Sequence, residues 1–425
     1  MSQPKSISSS LLKKILAVIL GFGPGIFAIG YTIGTGSVTS MIVAGSTYGM
    51  QLLWVLLLSC LFSGLLMHAY GKFALVSGET GLFAIRKHLK AGKLIAICII
   101  IGISVGQWNS LMGITGISSN IIFEILSIYF PSLAHSKYQV VLIIAIVVIG
   151  FMYGFLLIGK YSFFEKVLVI FVTLMGGSFL FSLFFVHPLP MDVLKGLVPT
   201  VPQVPGGKMM IAAFVGTTMA AATFLSRPLF IKGKGWGIND LGIQKKDAIV
   251  AAILVFIISA AIMAVAKAAL FDQGKVVNTV LDMAGSLEPV AGKFAVTLFF
   301  FGTLSAGLSS VFPCMMIAPL LLADYQSGEL DSTSKQFRII TGIASLVALT
   351  VPILGANPIQ VQIFSQVFNV FVLPLVILSI ILLLNKKELM KGFSTSILIN
   401  VGLFLALLFS CVISYNGIVA LLENF

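Results

Sequence analysis

Eleven long apolar runs, joined by short polar loops, constrain this chain more than any other feature of its sequence. Each run is long enough to supply the roughly 20 apolar residues that an α-helix needs to cross a bilayer. The runs cover residues 15–45, 50–71, 94–127, 138–158, 162–186, 208–229, 248–271, 290–323, 337–354, 360–384 and 395–421. Of the 425 residues, 58% are hydrophobic and 9% are charged, whereas soluble domains carry about 25% charged residues. The sequence therefore predicts an all-α polytopic membrane protein.

The first run is interrupted near its middle by glycines and hydroxyl-bearing residues. The interruption is Thr32-Ile33-Gly34-Thr35-Gly36-Ser37. Glycine weakens a helix, and non-helical backbone within a membrane is tolerated only where it is buried in protein or lines a cavity. We therefore expect the first span to be broken and to contribute to a binding site.

The sixth run has a similar centre, Gly216-Thr217-Thr218-Met219-Ala220-Ala221-Ala222-Thr223. Runs one and six each open a set of five, which is typical of inverted-repeat transporters that bind substrate between two discontinuous helices. The repeats would cover residues 15–186 and 208–384, with an extra helix at 395–421. Small residues also let helices pack closely, so packing alone is the alternative explanation for both centres.

The basic residues predict an orientation. With the N-terminus and its Lys5, Lys13 and Lys14 in the cytoplasm, most of the 26 lysines and arginines fall in cytoplasmic loops, as the positive-inside rule requires. This places the protein in the plasma or inner membrane with its C-terminus outside. The net charge of +12 is then explained without nucleic acid, for which the chain offers no basic face or known fold.

Ionisable side chains are scarce inside the runs. Thirteen of the 14 acidic residues fall in loops or near span ends, and only Glu124 lies within an apolar run. We therefore expect no buried cluster of carboxylates or imidazoles that would bind a dehydrated divalent ion or relay protons. The runs also contain no Ser-His, paired-Asp or HExxH arrangement, so an enzyme is not expected.

Several separated motifs occur in an order that resembles a known family. They are Gly23-Pro24-Gly25, Ile29-Gly30-Tyr31, Ala44-Gly45, Leu304-Ser305-Ala306-Gly307-Leu308-Ser309-Ser310, Ser365-Gln366-Val367, Leu373-Pro374 and Lys387-Glu388-Leu389-Met390. Over about residues 20–392 the chain resembles the Nramp (natural resistance-associated macrophage protein) family of metal transporters. The resemblance implies a LeuT-type fold, with two inverted five-helix repeats and an eleventh helix. It also implies proton-coupled uptake of manganese or ferrous iron.

The family's metal-binding motifs are not matched. In an ungapped register, its Asp-Pro-Gly-Asn falls on Gly34-Thr35-Gly36-Ser37, and its Met-Pro-His falls on Ala220-Ala221-Ala222. Its second histidine falls on Arg227. The acidic residues of span three fall near Gly113 and Thr115, and a glutamine of span ten becomes Val372, although Gln366 remains.

The groups that remain are neutral oxygen donors, which suit a hard cation, a partly hydrated ion or a polar organic solute. The predicted substrate site consists of Gly34, Thr35, Gly36, Ser37, Thr39, Thr217, Thr218, Ala220, Thr223 and Gln366. A metal ion, if one binds, is expected near Gly34, Ser37 and Ala220. In span three, Gln107, Trp108, Asn109 and Ser110 could line the same cavity or pack between helices.

Three functions remain open from the sequence. The first is an alternating-access carrier of a metal cation with an atypical site. The second is a carrier of a small polar organic solute such as an amino acid, and the third is a membrane sensor that does not transport. The expected partners are the transported species and the bilayer. No cofactor is expected beyond a coupling ion, H+ or Na+.

Overall fold

The computed structural model describes residues 24–158, 161–183, 190–202, 206–275, 277, 282, 288–329, 332–393 and 395–424. Ten segments within these ranges are long and apolar enough to cross a membrane, and one bent pair of helices supplies an eleventh crossing. The prediction of eleven spans is confirmed. The N-terminal lysines and the start of the first run, residues 15–23, lie outside the described residues, as do Lys160 and His187.

The broken first span consists of α1 (Pro24–Thr32) and α2 (Thr35–Tyr48), and the sixth consists of α9 (Gly207–Thr218) and α10 (Ala221–Gly233). The other spans are α3 (Leu53–Ser77), α5 (Gly92–Tyr129), α6 (Lys137–Leu157), α7 (Tyr161–Leu183), α11 (Leu241–Ala269), α12 (Glu288–Gln326), α13 with α14 (Lys335–Ala348 and Thr350–Leu354), α15 (Pro358–Leu384) and α17 (Ile397–Asn424). Among the described residues, three short helices connect spans: α4 (Gly81–His88), α8 (Pro190–Gly196) and α16 (Lys387–Met390).

Local signals place several helix ends. Asn357 begins α15 by accepting a hydrogen bond from the backbone N–H of Ile359 at 3.0 Å, and Pro358 occupies the first helical position, where its missing N–H costs nothing. Gly78 ends α3 in a left-handed conformation, which glycine adopts without steric cost. The ninth apolar run is divided into two helices, α13 and α14. Its continuous apolar sequence does not predict this division.

The spans pack in two groups around the broken helices. In one group α11 lies against α3, and this pair contacts the broken helices through α2 on α11 and α10 on α3. In the other group α5 contacts α12 and α15, while α7 packs on α12. The halves of spans one and six are buried between these groups, whereas α17 packs on α15 and exposes much of its surface.

The loops predicted to be cytoplasmic meet at one end of the molecule. The carboxylate of Asp324 accepts a hydrogen bond from the backbone N–H of Leu82, the second residue of α4, at 2.9 Å. Lys232 donates to the carbonyl of Gly328 at 2.9 Å, and Lys386 donates to the carbonyl of His88. These contacts join the connections after spans two, six, eight and ten, which all lie on one side in the predicted topology.

Candidate functional site

The first span breaks at residues Ile33 and Gly34, where its two halves meet at a bend of 46°. Gly34 is extended, with φ −82° and ψ −175°, so the helical hydrogen-bond pattern is interrupted there. A Cβ at Gly34 would collide with the hydroxyl of Ser310 on α12. The predicted break is therefore present, and the close approach of α12 requires a glycine at its centre.

The sixth span breaks at Met219 and Ala220, between α9 and α10. The two breaks are in direct contact, because Thr217 Oγ1 donates a hydrogen bond to the carbonyl of Thr32 at 3.3 Å. Ser63 of α3 donates to the carbonyl of Thr218 at 2.6 Å. Side chains thus satisfy carbonyls that the interrupted helices leave without a partner, as buried backbone groups require.

A small cavity of about 20 Å³ lies between the two breaks. It is lined by Tyr31, Gly34, Gly36, Ser37, Gln107, Ser110, Ile114, Thr217, Ala220, Ser310, Cys314, Gln366 and Asn369. A single water requires about 10–15 Å³ of such volume, so the cavity holds one species of that size. None of these lining residues carries a carboxylate or an imidazole.

The α5 and α15 side of the cavity is a chain of hydrogen-bonded amides. Gln107 Nε2 donates to Asn369 Oδ1 at 2.8 Å, and Asn369 Nδ2 donates to Gln366 Oε1 at 3.2 Å. Gln366 Nε2 in turn donates to Ser110 Oγ at 3.2 Å. The thiol of Cys314 donates to Gln107 Oε1 at 3.4 Å. The wall is therefore polar, electrically neutral and fixed by its own contacts.

Two cavity-lining hydroxyls of the first span are available to a ligand. Tyr31 OH and Ser37 Oγ are buried and have no hydrogen-bond partner among the described residues. An unsatisfied buried polar group costs about 1–3 kcal/mol. Both residues line the cavity, so a species bound there can satisfy them.

Six of the ten predicted site residues line this cavity: Gly34, Gly36, Ser37, Thr217, Ala220 and Gln366. Thr218 and Thr223 instead line a separate void of about 10 Å³, together with Ser63 and Cys60 of α3. Thr35 and Thr39 are buried but do not line the main cavity. The pattern of small residues thus located the helix breaks, but for these four residues it did not indicate which helix face lines the main cavity.

The third-span residues divide in the same way. Gln107 and Ser110 line the cavity, whereas Trp108 and Asn109 do not. Asn109 instead donates to the carbonyl of Val105 at 2.9 Å. Asn369 and Cys314 also line the cavity, although the sequence analysis did not predict them. The available signal for Asn369 was its position three residues after Gln366 on α15, because residues at this spacing share a helix face.

A second polar feature lies beside the first helix. Arg227 Nη2 of α10 is 2.6 Å from Asp247 Oδ2 of α11, and both side chains are 1% exposed. Asp247 Oδ1 also accepts a hydrogen bond from the backbone N–H of Gly25 at 3.2 Å. Asp247 and Asp324 are near helix ends as expected, but both are buried, which the loop assignment did not predict.

Within the described residues, His, Cys, Asp and Glu form no group of three that could hold a metal.

Two discontinuous helices that border a cavity, together with nine further spans among the described residues, define a polytopic membrane protein with the LeuT-type fold. The family model described as natural resistance-associated macrophage protein-like matches residues 25–420. The chain therefore belongs to the Nramp family, and the resemblance found in its sequence is confirmed.

Named relatives support the same placement. The divalent metal cation transporter MntH of Vibrio campbellii is 26% identical over 407 residues, which cover 91% of this chain and 89% of the relative. The MntH of Clostridium acetobutylicum is 26% identical over 221 residues. That alignment covers 50% of this chain and 50% of the relative, so the chain spans about half the length of this relative.

A solved structure shows the fold independently. The crystal structure of the Eremococcus coleocola manganese transporter superposes on this chain with a TM-score of 0.72 at 16% sequence identity. The superposition covers 99% of this chain and 88% of that one. The LeuT-type architecture predicted through the family resemblance is confirmed.

Proposed function

We propose that this protein is a secondary active transporter that moves a metal cation by alternating access, through a site without the Asp, Asn and Met ligands. The observation that carries the proposal is the cavity between the two broken helices, with its unpartnered hydroxyls of Tyr31 and Ser37. Membership of the Nramp family supports the transport part of the proposal.

The size of the cavity favours an ion over an organic solute. Its volume of about 20 Å³ admits one water-sized species, whereas an amino acid requires the walls to separate. Hydroxyl and amide oxygens are hard ligands, which suit hard cations better than soft ones. The cargo in this proposal is therefore a hard metal cation that exchanges its water for neutral protein oxygens.

Alternating access requires the broken helices to move against their surroundings. In this mechanism α1, α2, α9 and α10 move with α3 and α11, and the amide wall on α5 and α15 stays in place. The contact between Thr217 and Thr32 holds the two breaks together in this conformation and is proposed to change when the breaks move. The N-terminus is proposed to be cytoplasmic, on the basis of the loop charges.

Uptake into proteoliposomes tests the site. Wild-type protein is assayed with Mg²⁺, Ca²⁺, Mn²⁺ and a panel of amino acids, under an imposed pH or sodium gradient that identifies the coupling ion. Ser37→Ala removes one unpartnered cavity hydroxyl, and Ala220→Val fills part of the cavity. Both variants should lower uptake of the same ion.

Ser40→Ala is the matched control, because Ser40 lies on the same helix, is buried and has no hydrogen-bond partner among the described residues, but does not line the cavity. Its uptake should equal that of wild type. Unchanged uptake in Ser37→Ala and Ala220→Val would contradict the site. Amino-acid uptake without metal uptake would favour the organic-solute carrier, and the absence of all uptake would favour the sensor.

A further inference from the structure

An apolar groove of about 510 Å³ opens on the outer surface of the helix bundle between α3, α11 and α17. Aliphatic side chains form its walls, and Leu61, Ile253 and Leu398 are 59%, 51% and 83% exposed. The volume falls in the range of ligand pockets, about 300–1,000 Å³. Because the three helices are membrane spans, the groove faces the acyl chains of the bilayer.

One end of the groove carries positive charge. His68 of α3 and Lys245 of α11 line it. The positive charges that act on His68 are those of Lys245, Lys72 and Arg227. Arg227 is neutralised by Asp247, whereas Lys245 is exposed in the first turns of α11 and supplies charge at the mouth of the groove.

We propose that this groove binds an anionic phospholipid, with one acyl chain between α3, α11 and α17 and with the phosphate group at Lys245. Basic pockets between membrane helices attract anionic headgroups, and each buried methylene of the chain adds to the affinity. Both contributions are available in one continuous groove.

The bound lipid would lie close to the elements that move in the proposed transport cycle. Cys60 and Ala252 line both the groove and the small void that contains Thr218 and Thr223 of the sixth span. His68 Nδ1 is 3.2 Å from Gln244 Oε1, and the carbonyl of Gln244 accepts a hydrogen bond from Arg227 at 3.3 Å. The acyl chain is thus one layer of side chains away from the break in span six.

Native mass spectrometry of the purified protein in dodecyl maltoside tests the proposal. The protein is titrated with phosphatidylglycerol or phosphatidylcholine that carry the same acyl chains. Phosphatidylglycerol should bind about fivefold more tightly, which is the effect of one lysine near a membrane surface. Lys245→Gln should abolish this preference. Lys246→Gln, which changes an exposed neighbour that does not line the groove, should retain it.

The acyl-chain position has its own variant. Ile253→Trp places a large side chain in the groove and should weaken binding of both lipids, while millimolar inorganic phosphate should displace neither. A preference that survives in Lys245→Gln, or that is lost equally in Lys246→Gln, would overturn the headgroup assignment. If Ile253→Trp leaves lipid binding unchanged, or if inorganic phosphate alone displaces the bound lipid, the assignment of the groove to an acyl chain is wrong.

Discussion

The guanidinium of Arg227 and the carboxylate of Asp247 form a buried ion pair at 2.6 Å that joins α10 to α11. Asp247 also accepts a hydrogen bond from Gly25 in the first turn of α1, where helical N–H groups lack partners. The Asp247 carboxylate therefore connects α1, the first half of span one, to α10, the second half of span six. A Cβ on Gly25 would approach Asp247 Oδ1 to 2.5 Å, so the contact depends on glycine at that position.

Asp247→Ala should destabilise the protein strongly. The substitution leaves the Arg227 charge buried without a counter-charge, which typically costs about 3–5 kcal/mol. Thermal unfolding in detergent measures the effect as a lower Tm. A double variant, Arg227→Met with Asp247→Ala, should recover part of the loss, because removing both charges avoids the unpaired one.

The pair between Lys137 and Glu124 is the control for that experiment. Its atoms are 2.8 Å apart, and the side chains of Lys137 and Glu124 are 54% and 13% exposed. Removing Glu124 leaves a solvated lysine and no buried charge, and pairs near the surface contribute about 0–1 kcal/mol. Glu124→Ala should therefore shift the Tm little. If Asp247→Ala behaves like Glu124→Ala, or if the double variant unfolds no later than the single one, the pair does not stabilise the bundle.

Gly216→Ala should damage the fold more than a typical glycine substitution in a membrane helix. A Cβ at Gly216 would collide with the backbone carbonyl of Gln366 on α15, and backbone cannot rotate away as a side chain can. Overpacking of this kind costs about 1–3 kcal/mol. The expected result is a lower Tm and lower uptake, since Gln366 lines the cavity.

Gly177→Ala provides the comparison. Gly177 lies within α7, and nothing lies within 4 Å of the position of an added Cβ. Alanine is favoured over glycine in a helix by about 1 kcal/mol, so the variant should keep or raise the Tm. Equal losses in the two variants would show that α9 and α15 are not in tight contact at Gly216.

Span number and both helix breaks were predictable from the sequence, because their causes are local. A bilayer demands long apolar runs, and Gly34 and Gly36 disfavour a continuous helix where they stand. The contacts of Asp324 and Lys232 bring the loops after spans two, six and eight to one end, as the even number of crossings between these loops requires. The side of the membrane that this end faces stays a prediction from the loop charges.

The composition of the cavity was only partly predictable, because it depends on which helix faces meet. Thr35 and Thr39 satisfy the same sequence pattern as Ser37, yet only Ser37 lines the cavity. Asn369 enters through the packing of α15 on α5, which no local pattern encodes. The partner of Arg227 likewise lies 20 positions away at Asp247, on the next span.

The proposed orientation predicts opposite labelling of two loops. Cysteine is introduced at Asn239, between α10 and α11, or at Ser132, between α5 and α6, in a protein whose four native cysteines are replaced by alanine; both positions are exposed. With a cytoplasmic N-terminus, a membrane-impermeant maleimide should label Ser132→Cys in intact cells and Asn239→Cys only after lysis. The reverse pattern would invert the topology.

Thr217→Val should impair transport and lower the stability modestly, because the buried carbonyl of Thr32 loses its donor. The substitution keeps the shape of the side chain but removes the hydroxyl that donates to the carbonyl of Thr32. A hydrogen bond of this kind contributes about 1 kcal/mol, equivalent to about a fivefold change in an equilibrium between conformations. Uptake at subsaturating ion concentration should therefore fall about fivefold.

Thr217→Ser keeps the hydroxyl and should retain most of the wild-type uptake. The pair of variants separates the hydrogen bond from the packing of the methyl group, because valine preserves the volume and serine preserves the donor. If the Thr217→Val variant transports as well as wild type while the Thr217→Ser variant does not, transport depends on the packing of the methyl group and does not depend on the hydrogen bond. In that case the two breaks are held together by side-chain contact, and the carbonyl of Thr32 must find its partner elsewhere during transport.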